Sequence, residues 1–160
     1  LFGDALDWLV LSGTVKRCSL VGQIESPLEA FVNPSSFKIY QADTGLLVSK
    51  AGAQRADILA GIGGTFMGAL IENYVAQQLS AIGYPLHYWA RDNRAEIDFV
   101  VERQGCVSAI EVKAGENTRS RSLSSLKKTH SGVRLIRLST KPFGMNDGLM
   151  SVPLYAAFCL

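Results

Sequence analysis

A chain of 160 residues with 48% hydrophobic and 19% charged side chains supports one domain, or one domain with a small appendage, and excludes a disordered segment. Its formal net charge of +2 is too small to argue for nucleic acid by itself. No apolar run reaches membrane-spanning length and no secretory signal opens the chain, so no membrane partner is expected.

Cys18, Cys106 and Cys159 are odd in number and widely spaced. They suggest neither a zinc site nor a disulfide framework, only small buried hydrophobes in a reducing cytoplasm. Leu1 already stands inside an amphipathic pattern, as expected of a piece from a longer protein. Leu1 to Ser12 predicts a short helix, with Leu6, Leu9 and Val10 at helical spacing and a stop at Gly13. Thr14 to Ile24 reads as a strand, followed by loops at Pro27 and around Asn33-Pro34-Ser35-Ser36. Phe37 to Ala42 reads as a second strand, and Asp43 as the cap of a helix through Leu46 and Leu47. A helix followed by strands resembles the tail of a winged helix, so residues 1–50 are expected to form a winged-helix-like remnant or appendage. Residues 51–64 carry four glycines without clean periodicity and read as a linker. Residues 65–160 would then be the main domain.

Thr65 to Ile82 predicts a helix. Met67, Leu70, Ile71, Tyr74, Val75, Leu79 and Ile82 follow helical spacing, and Gly83 supplies the stop. At roughly 100° per residue, Glu72 falls on the edge of that apolar stripe, where it can lie against a sheet. After Pro85, the run LHYWA reads as a strand with His87, Tyr88 and Trp89, all three of which read first as structural. Arg91 and Arg94 come next, as loop arginines or as phosphate contacts.

The next stretch, Ala95 to Gly115, reads as a hairpin. Glu96 to Glu102 and Cys106 to Lys113 alternate apolar with polar residues, and Gln104-Gly105 suits a tight turn. With a two-residue loop, Arg103 pairs with Cys106. Asp98 then stands opposite Glu111 and Glu96 opposite Lys113, all four projecting from one face. A four-residue loop, Glu102 to Gly105, would instead put Asp98 opposite Ala109. Two carboxylates facing each other at about 5 Å between Cβ atoms destabilise a bare sheet, and a hard cation with oxygen ligands would relieve them. The other reading is a solvated strand face with a Glu96–Lys113 ion pair. Arg119, Arg121, Lys127, Lys128 and His130 then cluster as a basic patch or a solvated helix face. Ser122 to His130 predicts a helix, Val133 to Ser139 a strand, and Leu149 to Phe158 a closing strand. The alternation of sheet and helix implies a layered α/β domain.

A helix bearing Glu72, a strand bearing Asp98, and Glu111-x-Lys113 on the next strand resemble the PD-(D/E)XK nuclease superfamily, and so does the order αβββαβ. The stretches FKIYQADTGLL, GALIENYVAQQL, HYWARDNRAEIDFVVE, AIEVKAG, SRSLSSL and VPLYAAFCL together resemble one group over about Leu1 to Leu160. That group is the C-terminal domain, of unknown function and nuclease-like fold, of bacterial and archaeal AAA-type ATPases. The resemblance implies a restriction-endonuclease-like core with a mixed sheet and an N-terminal P-loop ATPase module as partner. No G-x-x-x-x-G-K-[ST] occurs in this chain, so ATP would bind only in that other module. Ile97 stands where the superfamily has a proline before the aspartate, and the chemistry needs the carboxylate, not the proline.

The activity so implied is metal-dependent hydrolysis of phosphodiester bonds, with DNA ahead of RNA as partner. Asp98 and Glu111 would hold Mg²⁺ or Mn²⁺, with a backbone oxygen such as that of Val112. Lys113 would orient water or stabilise developing negative charge. Glu72 would complete the outer shell or hold a second ion, and Glu96 would position Lys113. Two other classes stay open: a non-cleaving module that docks the ATPase onto DNA or protein, and a regulatory or self-associating unit built from residues 1–50.

Overall fold

The expected hairpin consists of β4 (Ala95–Arg103) and β5 (Cys106–Val112), antiparallel, with Arg103 opposite Cys106 and Phe99 opposite Ile110. Gln104 (φ 52°) and Gly105 (φ 74°) both take left-handed backbone, which matches the twist of the flanking strands. The two-residue loop therefore sets the register. The computed structural model describes residues 2–62, 64–91, 95–115, 121–130 and 132–160.

Around the hairpin lie β1 (Val15–Val21), β2 (Val32–Gln41), β3 (Leu86–Arg91), β6 (Arg134–Ser139), β7 (Gly144–Asn146) and β8 (Leu149–Pro153). They form one mixed sheet in the order β2-β1-β3-β4-β5-β6-β8-β7, so the protein is a mixed α/β fold. The helices are α1 (Phe2–Leu11), α2 (Thr44–Ala51), α3 (Arg55–Leu59), α4 (Gly64–Ala81) and α5 (Arg121–Thr129). None of these helices is long and apolar enough to cross a membrane.

The strands expected in a separate appendage belong instead to this sheet. β1 pairs parallel with β3, Cys18 beside Leu86, and β2 forms the edge. The expected loop around Pro34 lies inside the span of β2 as a break in its pairing: Phe37 faces Ser19 and Asn33 faces Leu20, so residues 34–36 bulge from an edge strand that tolerates proline. Residues 51–64, read as a linker, contain the end of α2 and the short α3. α2 is capped as expected, with Asp43 accepting the Leu46 N–H at 2.7 Å. The closing strand ends early. Pro153 brings no N–H, and Leu154–Cys159 form a 3₁₀ helix whose adjacent Ala156 and Ala157 are both buried.

Two apolar layers flank the sheet. On one face, Val75, Ala76 and Leu79 of α4 pack with Tyr40, Phe99, Val101 and Ile110. On the other, Leu123 and Leu126 of α5 pack with Ile97, Val100, Val107 and Ala109. β4 supplies both layers because its neighbours cover both faces. Its pairing with β3 is irregular: His87 faces Val100 but Trp89 faces Ile97, so the register slips by one residue. Asp98 and Phe99 stand together opposite Tyr88, which is a β-bulge.

Candidate functional site

The bulge divides the predicted residues into two groups. Glu96 and Asp98 alternate from Ile97 and face the α4 side. Glu111 and Lys113 continue the alternation of Val107 and Ala109 and face the α5 side. The expected single face is thus kept within each strand and broken across the hairpin, because the extra residue at Asp98–Phe99 reverses the alternation along β4.

Asp98 still joins the two groups. Its Oδ2 accepts the Val112 N–H at 2.7 Å, in the gap that opens once pairing of β4 and β5 stops at Phe99–Ile110. The carbonyl of Val112 points to the same strand edge as its N–H, and so toward Asp98. Burial pushes the Asp98 carboxyl up to about 7, against the pull of the Val112 N–H and of Lys38; Glu72 and Glu111 add to the rise. Burial, more than the opposed Glu111, is the dominant cause.

Glu72 reaches the sheet from the edge of α4, as its helical position predicts. It accepts hydrogen bonds from Lys38 Nζ at 3.0 Å and from the Tyr40 hydroxyl. Glu96, expected opposite Lys113, pairs with Lys38 at 2.5 Å. Burial works against the Lys38 charge, but the Glu96 and Glu72 carboxylates hold its ammonium above the ordinary lysine range. Burial and the charge of Glu72 raise the Tyr40 phenol far above its usual value. Burial likewise pushes the neighbouring Cys18 thiol up to about 12, which keeps it protonated and inert.

Lys38 and Tyr40 were not anticipated as site residues. Their signal lay in FKIYQ, where alternation sets a lysine on the same strand face as a tyrosine that buries itself. Asn73 was also missed: it is buried, accepts the Gln41 N–H at 2.8 Å and donates to the Gln41 carbonyl at 3.1 Å. It fastens β2 to α4 and so fixes Lys38 beside Glu72.

On the α5 side, Glu111 is 5% exposed, and its Oε1 lies 2.8 Å from Lys113 Nζ. Its Oε2 is buried with no hydrogen-bond partner among the described residues. Arg91 ends β3, exposed, opposite Ala95, while Arg94 lies outside the described residues. His87 is buried beside Glu29, its Nε2 3.2 Å from Oε1, and lines a cavity of about 230 Å³ with Pro85 and Glu102. That cavity is lined by none of the predicted site residues. Among the described residues, no three His, Cys, Asp or Glu side chains converge as a ready metal-ligand group.

Two uncharacterized proteins, one of Mycobacterium bovis and one of Mycobacterium tuberculosis, are each 34% identical over 124 residues. The match covers 72% of this chain and 27% of theirs, so the chain spans little more than a quarter of the length of these curated relatives. No solved structure matches it. A family model described as "Domain of unknown function (DUF4143)" matches residues 67–157, narrower than the full-length resemblance expected from the sequence. That stretch runs from α4 through β8 and includes Glu72, Asp98, Glu111 and Lys113, and by it the chain belongs to the DUF4143 family.

Proposed function

We propose that the domain is a metal-dependent nuclease, hydrolysing phosphodiester bonds of DNA or RNA on a restriction-endonuclease-like core made of α4, β3, β4, β5, α5 and β6. One observation carries the reading. A buried Glu111 carboxylate keeps one oxygen without a partner among the described residues, one strand away from an Asp98 carboxyl that burial has pushed up to about 7. Orphan buried acceptors are rare in folded proteins, and a hard cation with oxygen ligands satisfies such atoms.

Asp98, Glu111 and the Val112 carbonyl are the groups that would hold Mg²⁺ or Mn²⁺, with water oxygens completing the set. When bound, the ion supplies a more acidic water and offsets charge on the scissile phosphate. Lys113 steadies Glu111 at 2.8 Å and offers a compact positive charge to the developing oxyanion. Glu72, already engaged by Lys38 and Tyr40, contributes from outside the direct ligands, and Glu96 belongs with it. Arg91 and Arg94 remain the proposed phosphate contacts. An AAA-type ATPase module in the longer polypeptide would load the substrate, in the cytoplasm, which suits a domain whose net charge of +2 gives little attraction of its own.

Incubation of the purified domain with DNA and RNA, with and without Mn²⁺, tests this. Weak cleavage is expected only with metal, lost in Lys113→Ala with metal binding retained, and lost in Asp98→Ala together with metal binding. Cleavage that survives Asp98→Ala, or that needs no metal, would overturn it. A second reading, a non-cleaving docking module for nucleic acid or protein, is favoured by one observation: Lys38 already engages both Glu72 and Glu96 in ion pairs. Binding that persists with Glu72, Asp98, Glu111 and Lys113 all replaced, without cleavage at any metal concentration, would establish that reading.

A further inference from the structure

Lys38 belongs to the edge strand β2, yet it pairs with a carboxylate from β4, two strands beyond the neighbouring β1, the two side chains meeting over Tyr88 of β3. Its Nζ is met by Glu72 at 3.0 Å from α4 and by Glu96 at 2.5 Å from β4. The ring of Tyr88 lies beneath it, 5.1 Å from the centroid, and Tyr40 holds the same Glu72 oxygen. Two carboxylates from separate elements therefore converge on one point with Asp98 beside it, and that point is filled by an ammonium group. A divalent ion would need the same convergence of oxygens at about 2.0–2.6 Å. Lysine supplies one positive charge there without exchanging with solvent, and its two carboxylate partners are fixed in place.

We infer that Lys38 is a positioning residue that takes the place of a second metal ion, withholding Glu72 and Glu96 from metal and limiting the site to one ion per chain. This rests on the reading of Asp98 and Glu111 as the holders of that one ion. Asn73 and Tyr40 support it by fixing β2 and Glu72 against each other.

Calorimetric titration with Mn²⁺ alone tests the inference on the wild-type chain, Lys38→Met, Lys38→Arg and Glu72→Gln, with folding checked by circular dichroism. One ion is expected in wild type and in Lys38→Arg, and two in Lys38→Met. Glu72→Gln, in which Lys38 is intact, should still take up one ion, because Glu72 is withheld from direct ligation of it, with a loss of affinity of the size that an outer-shell partner carries, about tenfold or more. A folded Lys38→Met that takes up no additional ion, or a folded Glu72→Gln that binds none, overturns the inference and leaves the nuclease reading standing. No ion in wild type but one in Lys38→Met supports the role of Lys38 while removing the Asp98–Glu111 ion. No ion in either removes both.

Discussion

The Asp98 carboxylate accepts the backbone N–H of Val112 at 2.7 Å, at the point where β4 and β5 cease to pair. A side chain has taken the position that a main-chain carbonyl would hold in a continued ladder. The bulge at Asp98–Phe99 makes this geometry available, since it shortens the pairing and turns the aspartate into the gap. The hydrogen bond stabilises the charged form of Asp98, and burial opposes it more strongly.

That balance predicts a pH dependence. The folded pKa of Asp98, about 7, lies above its ordinary 3.8, so between these values the folded state keeps a proton that the unfolded state has lost. The stabilising contribution of the protonated form is fully present below 3.8 and is lost as pH rises through about 7. The interval limits the effect to roughly 4 kcal/mol at about 1.4 kcal/mol per unit. In Asp98→Asn, urea unfolding at pH 4, 5.5 and 7 should show a flatter dependence than wild type. Parallel curves for the two proteins would contradict the assignment.

Glu102 predicts the opposite sign. The Ser26 hydroxyl at 2.5 Å and the Leu28 N–H at 2.9 Å hold its carboxyl below the usual range. Its contribution is present above the unfolded pKa and disappears as pH falls through the lower folded value. Glu102→Gln should therefore lower the melting temperature at pH 7 and leave it unchanged near pH 2. An equal loss at both pH values would mean that packing, rather than charge, is responsible.

Asn73 tests whether the first fifty residues are integral to the domain. Asn73→Ala removes partners from both the N–H and the carbonyl of Gln41, at roughly 1–3 kcal/mol for each group left unsatisfied. A single cooperative transition at lower denaturant is expected. A separate early transition in the mutant, with the main one unmoved, would show that β1 and β2 form an independent unit.

Local chemistry made much of this fold legible. The hairpin is written in Gln104-Gly105, α4 in its apolar spacing and Gly83, and the α2 cap in Asp43. The position of Glu72 on the edge of α4 is likewise written in spacing. The bulge is not, because β4 is buried on both sides: Ile97, Phe99 and Val101 satisfy an alternating pattern whichever layer each one enters. The place of β1 and β2 was hidden for another reason. Parallel pairing of Cys18 with Leu86 joins residues far apart in sequence, and no turn residue announces it. With that pairing unseen, Lys38 could not be placed beside Glu72, and the pairing of Glu96 was assigned to Lys113.

Whether Asp98 and Glu111 hold a divalent ion is tested most directly by Mn²⁺ titration calorimetry of wild type against Asp98→Ala, with melting curves in parallel. A saturable binding heat is expected in wild type, with a melting temperature that rises with Mn²⁺ through binding to the folded state, and both should be lost in a folded Asp98→Ala. The same binding heat in the two proteins, or none in wild type at millimolar Mn²⁺, would contradict a shared Asp98–Glu111 ion.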